Sequence, residues 1–180
     1  GDLFDGLRTM PGKVHLETDP AVPPIQMPLR RLPVAVKDKV HSELQRMCQE
    51  GIIEPMTEPS SWISALVVVA KSNGQYRICM DATALNKALH RSHFPMQTID
   101  DILPHLSNVK VFSTADLKNG FWHLKLDEQS SKLTTFETPF GRYKWCRLPF
   151  SLRSRLKSLS KPCMNVFAAY MAFSTSPTTY

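Results

Sequence analysis

An α+β fold is predicted from three observations. Val36, Val40, Leu44 and Met47 recur at helical spacing, and Gly51 stands where a helix would end. Two strand-like runs, 63–71 and 75–80, flank Ser72-Asn73-Gly74, and Asn-Gly between such runs is the strongest short hairpin signal. A second hairpin pattern covers Thr134 to Leu148, turning at Pro139-Phe140-Gly141.

The elements follow in order along the chain. Residues 1–33 hold six of the 14 prolines, including Pro23-Pro24, and read as an extended strap lying on the rest. The helix over 36–47 and the first hairpin come next. Asp81 is placed to cap a short helix through Leu89. Thr98 and Asp101 resemble a capping pair for a helix at 98–106, and Val109 to Ala115 reads as a strand ending at Asp116. Leu117 to Leu126 forms a short amphipathic stretch before the second hairpin. From residue 151 the chain turns rich in Ser and Thr, with no glycine, no acid and no clean period. No internal repeat is visible.

With 180 residues, 42% apolar and 21% charged, the chain has room for one domain with a real core; wholesale disorder and fibrous classes are excluded. No apolar run is long enough to span a bilayer, and Gly1 to Asp5 has neither the basic nor the apolar part of a signal peptide, so no membrane partner is expected. Cys48, Cys79, Cys146 and Cys163 lie far apart without paired spacing. That excludes a zinc knuckle and points to a reduced, intracellular chain, cytoplasmic or nuclear. The net charge of +6 has the sign of a nucleic-acid footprint, yet Arg153, Arg155, Lys157 and Lys161 carry four of those charges in the tail.

Among residues that could carry chemistry, Asp116 comes first. A carboxylate closing an apolar strand ahead of Lys118-Asn119-Gly120 is suited to hold a metal rigidly, or to cap a helix or sit in a solvated turn. Arg77 sits within a hairpin strand, where a cross-strand ion pair is the plainer role, and Lys71 is flanking charge. Phe121 and Trp122 after Gly120 are either core or a base-stacking platform. The six histidines show no ligand spacing, and no glycine-rich phosphate loop is present.

Taken together, several boxes form an ordered set. They are Lys71-Ser72-Asn73-Gly74-Gln75-Tyr76-Arg77-Ile78-Cys79-Met80-Asp81, Leu85-Asn86-Lys87, and Phe94-Pro95-Met96-Gln97-Thr98-Ile99-Asp100-Asp101-Ile102-Leu103. Phe112-Ser113-Thr114-Ala115-Asp116-Leu117-Lys118-Asn119-Gly120-Phe121-Trp122, Thr134-Thr135-Phe136 with Thr138-Pro139-Phe140-Gly141, and Arg147-Leu148-Pro149-Phe150 complete it. Over roughly residues 4–154 the chain resembles the reverse transcriptase of gypsy-type LTR retrotransposons.

The resemblance implies the fingers and the start of the palm of a right-hand polymerase, an RNA-directed DNA polymerase cut from a larger polyprotein. It implies Asp116 as a metal-binding catalytic aspartate holding Mg2+, and Arg77 with Lys71 as the grip on a deoxynucleoside triphosphate. Phe121 is implied to abut the sugar and disfavour a 2′-hydroxyl, and Phe150 to lie beside nucleotide and template. Partners would be an RNA or DNA template-primer and deoxynucleoside triphosphates, with attack of a primer 3′-oxygen on an α-phosphate assisted by two metals.

The sequence departs from the family where a second carboxylate box, Asp-Asp, is expected: no Asp follows Asp127. Ser151 stands for the usual Gly and Thr83 for the usual Arg. After Ser154 the family continues Ala-Pro-Glu-Val-Phe, which codons able to encode Arg155 to Leu159 can spell in an adjacent reading frame. The same shift over Ser176 to Tyr180 permits Ile-Ala-Asp-Asp-Leu, with aspartates over Thr178 and Thr179. Three segments are therefore expected: the strap at 1–33, fingers and partial palm at 34–154, and an out-of-frame tail at 155–180. A fragment with one metal carboxylate is expected to be catalytically inactive alone. The alternatives are a non-catalytic nucleic-acid-binding remnant or a domesticated interaction protein.

Overall fold

A computed structural model of the chain describes residues 7–72, 74–90 and 119–152. The helix predicted over 36–47 is α1, Val34–Gln49, and it buries Val40, Leu44 and Met47. Each such side chain contributes about 1.5–3 kcal/mol when removed from water. The helix ends as its glycine predicts. Gly51 takes φ +62°, its N–H bonds to the Cys48 carbonyl, and the Ile52 N–H bonds to the Met47 carbonyl. This paired arrangement satisfies carbonyls that the last turn would leave open, and it needs a residue tolerant of positive φ.

The chain then enters β2 (Ile53–Pro55), the expected hairpin β3 (Ser64–Ala70) with β4 (Tyr76–Met80), and α2 (Thr83–Ala88). β3 and β4 pair antiparallel from Leu66↔Met80 to Ala70↔Tyr76. Their connection closes with Lys71 N–H to Gln75 O and Gly74 N–H to Lys71 O, Gly74 taking φ +78°. The cap of α2 is shifted by one residue from the expected position. Ala82 is the boundary residue, while the Asp81 carboxylate accepts from both the N–H and the hydroxyl of Thr83.

Past residue 118, a single 3-10 turn (Gly120–His123) leads to β5 (Lys125–Leu126), α3 (Glu128–Leu133), β6 (Phe136–Thr138) and β7 (Gly141–Trp145). The described part of the amphipathic stretch predicted over 117–126 is this turn and strand. β6 and β7 form the second predicted hairpin, whose two-residue turn is Pro139-Phe140 between Thr138 and Gly141. β1 (Lys13–Val14) runs parallel to β5.

The main sheet has the order β2-β7-β6-β3-β4 and is mixed, with β3 and β6 parallel and the other pairs antiparallel. Ile53, Phe136, Trp145, Leu66, Ile78 and Met80 form its core with α1. Residues 7–33 pack against this core: Leu16 is buried, the segment makes bridges Thr18↔Leu89 and Gln26↔Ile63, and it turns where the Val22 N–H bonds to the Asp19 carbonyl. The helix predicted at 98–106, the strand at 109–115 with Asp116, and the tail at 155–180 lie outside the described residues.

Candidate nucleotide site

Alternation along β3 and β4 divides their residues between two faces. Leu66, Val68, Ile78 and Met80 point into the core, whereas Val67, Val69, Cys79, Arg77 and, by continuation, Lys71 share the other face. Arg77 lies directly opposite Val69, which is 46% exposed, so the cross-strand partner at that position is apolar and not an acid. Lys71 stands two residues further along, exposed at the end of the hairpin.

Across from this face stands the loop carrying Phe150. The Arg77 guanidinium carbon lies 5.4 Å from the centre of the Phe150 ring, within cation–π range. Phe121 meets the same ring edge-on at 5.3 Å, and Trp122 meets it at 5.6 Å. Three of the residues singled out by the sequence, Arg77, Phe121 and Phe150, therefore converge. Lys71 belongs to the same hairpin face but is not part of the aromatic cluster. Asp116 lies outside the described residues. Of Phe121 and Trp122, Trp122 is buried in the core, and Phe121 is half-buried and packed against it.

The turn bearing Phe121 begins at Asn119, which adopts φ +54°, a conformation Asn tolerates better than most side chains. The Phe150 loop is anchored on both sides by Leu148 and Leu152, which are fully buried. Asn86 Nδ2 of α2 donates to the Ser151 carbonyl at 2.9 Å. Trp122 Nε1 and Ser151 Oγ are buried without a partner among the described residues, so packing and the Asn86 bond, rather than these polar atoms, hold the loop.

Arg147 ties these parts together. Its guanidinium donates to Trp122 O at 2.7 Å, Gly51 O at 3.3 Å, Thr9 Oγ1 at 3.3 Å and Arg8 O at 3.4 Å. One buried side chain thus joins the strap, the end of α1 and the 3-10 turn. Burial pushes its pKa down, yet three carbonyls and the Thr9 hydroxyl satisfy the cation, and no carboxylate pairs with it among the described residues. Nearby, Leu148 N–H bonds to Leu124 O and Met10 N–H to His123 O, at 2.9 and 2.8 Å. Asn86 and Arg147 both lie within the ordered sequence boxes, and neither stands out there as a site residue. An arginine interrupting the run from Trp145 to Leu148 was the available signal.

Two acids on the strap side have lowered pKa values. At Asp81 the Thr83 hydroxyl is the main cause, opposed by burial and supported by the Thr83 N–H and Arg30. At Asp127, which caps α3, burial raises the pKa, but hydrogen bonds from Ser130 and His15 outweigh it. Neither belongs to the aromatic cluster. No group of three His, Cys, Asp or Glu that could hold a metal ion occurs among the described residues.

Comparison with known proteins turns this geometry into a family assignment. Residues 69–153 match the family described as Reverse transcriptase (RNA-dependent DNA polymerase). The chain is 35% identical over 129 residues to the retrovirus-related Pol polyprotein from transposon 412 of Drosophila melanogaster, covering 68% of this chain and 10% of that protein. It is 34% identical over 125 residues to the Pol polyprotein from transposon gypsy of the same organism, covering 67% and 12%. The chain belongs to the reverse transcriptase domain of LTR retrotransposon polyproteins. It spans about a tenth of the length of these curated relatives.

Solved structures agree on the fold of this reverse transcriptase fragment. Prototype foamy virus protease-reverse transcriptase aligns with a TM-score of 0.70 at 20% identity, covering 90% of this chain and 21% of that one. A foamy viral protease-reverse transcriptase in complex with double-stranded DNA aligns at 0.63 and 18% identity, over 85% and 27%. The expected α+β, reverse transcriptase-like fold is borne out.

Proposed function

We propose that this segment forms the nucleotide-facing part of an RNA-directed DNA polymerase site. The convergence of Arg77, Phe121 and Phe150 from three distant stretches of chain carries the reading. Arg77, with Lys71 along the same hairpin face, offers cations to a triphosphate; Phe121 abuts the sugar; the loop that carries Phe150 lies beside the nucleotide and the template strand. Duplex DNA bound by a protein of the same fold supports a template-primer as the second partner. Reverse transcriptases are generally metal-dependent. Asp116 would contribute to holding Mg2+, and among the described residues no cluster of His, Cys, Asp or Glu completes such a site.

Binding and turnover separate in this reading. No Asp follows Asp127, so the 180-residue chain is expected to bind nucleotide without extending a primer. Titrating the chain with dCTP and with CTP tests the pocket. dCTP should bind more tightly, in a salt-sensitive manner, and Phe121→Ala should bring CTP to parity. Equal affinities in the unaltered chain would remove Phe121 from the sugar. Primer extension on a homopolymer template with magnesium should give no product; incorporation lost on Asp116→Ala would overturn the expected inactivity.

A further inference from the structure

We propose that Phe150 is a positioning residue: its ring seats the Arg77 guanidinium in advance of the nucleotide, so that it acts on the triphosphate through Arg77. This rests on the nucleotide-site reading above. An arginine on an exposed strand face has many side-chain rotamers, and much of that freedom is lost when it clamps a phosphate. A seat that already restricts the side chain lowers that cost at the moment of binding.

The geometry is that of a seat. The guanidinium carbon lies 5.4 Å from the Phe150 ring centre, and the planar, weakly hydrated guanidinium stacks on an aromatic face better than an ammonium does. The ring itself is fixed. Phe121 and Trp122 pack on it at steep angles of 85° and 60°, which keeps its orientation, and the loop is pinned by buried Leu148 and Leu152 and by the Asn86 bond to Ser151 O. Arg77 in turn stands on a strand whose register with β3 is set over five residue pairs. Both halves of the contact are therefore held by the fold, and the guanidinium bridges them. Lys71, on the same hairpin face, is an exposed cation outside the cluster, so the two phosphate-facing charges differ: one is seated and the other is not.

Two measurements on the full chain test this. In side-chain NMR of the unliganded protein, Arg77 Hδ resonances should be shifted upfield by the ring, relax toward ordinary values in Phe150→Leu, and stay shifted in Phe150→Tyr. In titrations with dTTP and magnesium, Phe150→Leu should weaken binding roughly two- to fivefold, matching an exposed cation–π contact. The same substitution made in an Arg77→Gln background should add nothing further. Additive losses would mean that Phe150 touches the nucleotide directly and would overturn the proposal, as would Arg77 resonances indifferent to Phe150→Leu. Should Phe150→Leu fail to fold, Overhauser contacts between Arg77 Hδ and the Phe150 ring in the unaltered chain decide, and their absence overturns it. Failure of the unaltered chain to bind dTTP would refute the nucleotide reading, while the NMR result still judges the seat.

Discussion

The two hairpins of this fold are built from similar sequence signals and put to opposite uses. In β6–β7, Phe136 and Trp145 are wholly buried, and the pair is flanked by β2 on one side and β3 on the other. In β3–β4, Leu66, Val68, Ile78 and Met80 face the core, while Val69, Arg77 and Lys71 stand on an open face. A hairpin enclosed on both edges is a pillar, and what it offers is position: it carries the chain into Arg147 and the Phe150 loop. A hairpin with a free face can instead offer side chains to a ligand. The seat for Arg77 arises where the product of the first meets the open face of the second.

Substitutions can break this contrast or refine it. The largest effect is expected from Trp145→Ala in the enclosed hairpin, which should lower stability by about 3–5 kcal/mol in urea unfolding; a loss under about 1 kcal/mol would show that the hairpin is not a pillar. Arg147→Met should cost about 1–3 kcal/mol by stranding buried carbonyls, and hydrogen exchange at the Met10 amide should accelerate as the strap loosens from His123. If that amide stays protected, Arg147 does not couple the strap to the 3-10 turn. The smallest effect belongs to the open face: Val69→Thr should change stability by no more than about 0.5 kcal/mol. A larger cost would reveal that something covers Val69.

Legibility followed the range of the interactions. α1 and both hairpins could be read because their signals are local: a period of apolar residues, a glycine at positive φ, and a tight turn. The parallel pairing of β3 with β6 has no such signal, since Ser64 and Phe136 meet only through the fold of everything between them. β2 is three residues long and ends in Pro55, too short for a pattern and ending in a residue that edge strands tolerate. α3 escaped for the same reason, six residues long, although Asp127 with Ser130 is a capping signal in plain view. At the site, Arg77, Phe121 and Phe150 were legible through the ordered boxes. The function of Arg147 was not, because a buried cation satisfied by three separate stretches of chain is defined only once those stretches meet.

The sheet order also dictates a schedule for synthesis. β2 and β3 leave the ribosome early, but the strands that lie between them, β7 and β6, are translated last, and β3 cannot acquire its parallel neighbour until residue 136 has been made. Through that interval Ile53, Ile63 and Leu66 have no finished sheet to enter. Nascent chains halted before Trp145 should therefore depend on chaperones, and those carried past it should close the sheet by inserting one late hairpin into a waiting gap.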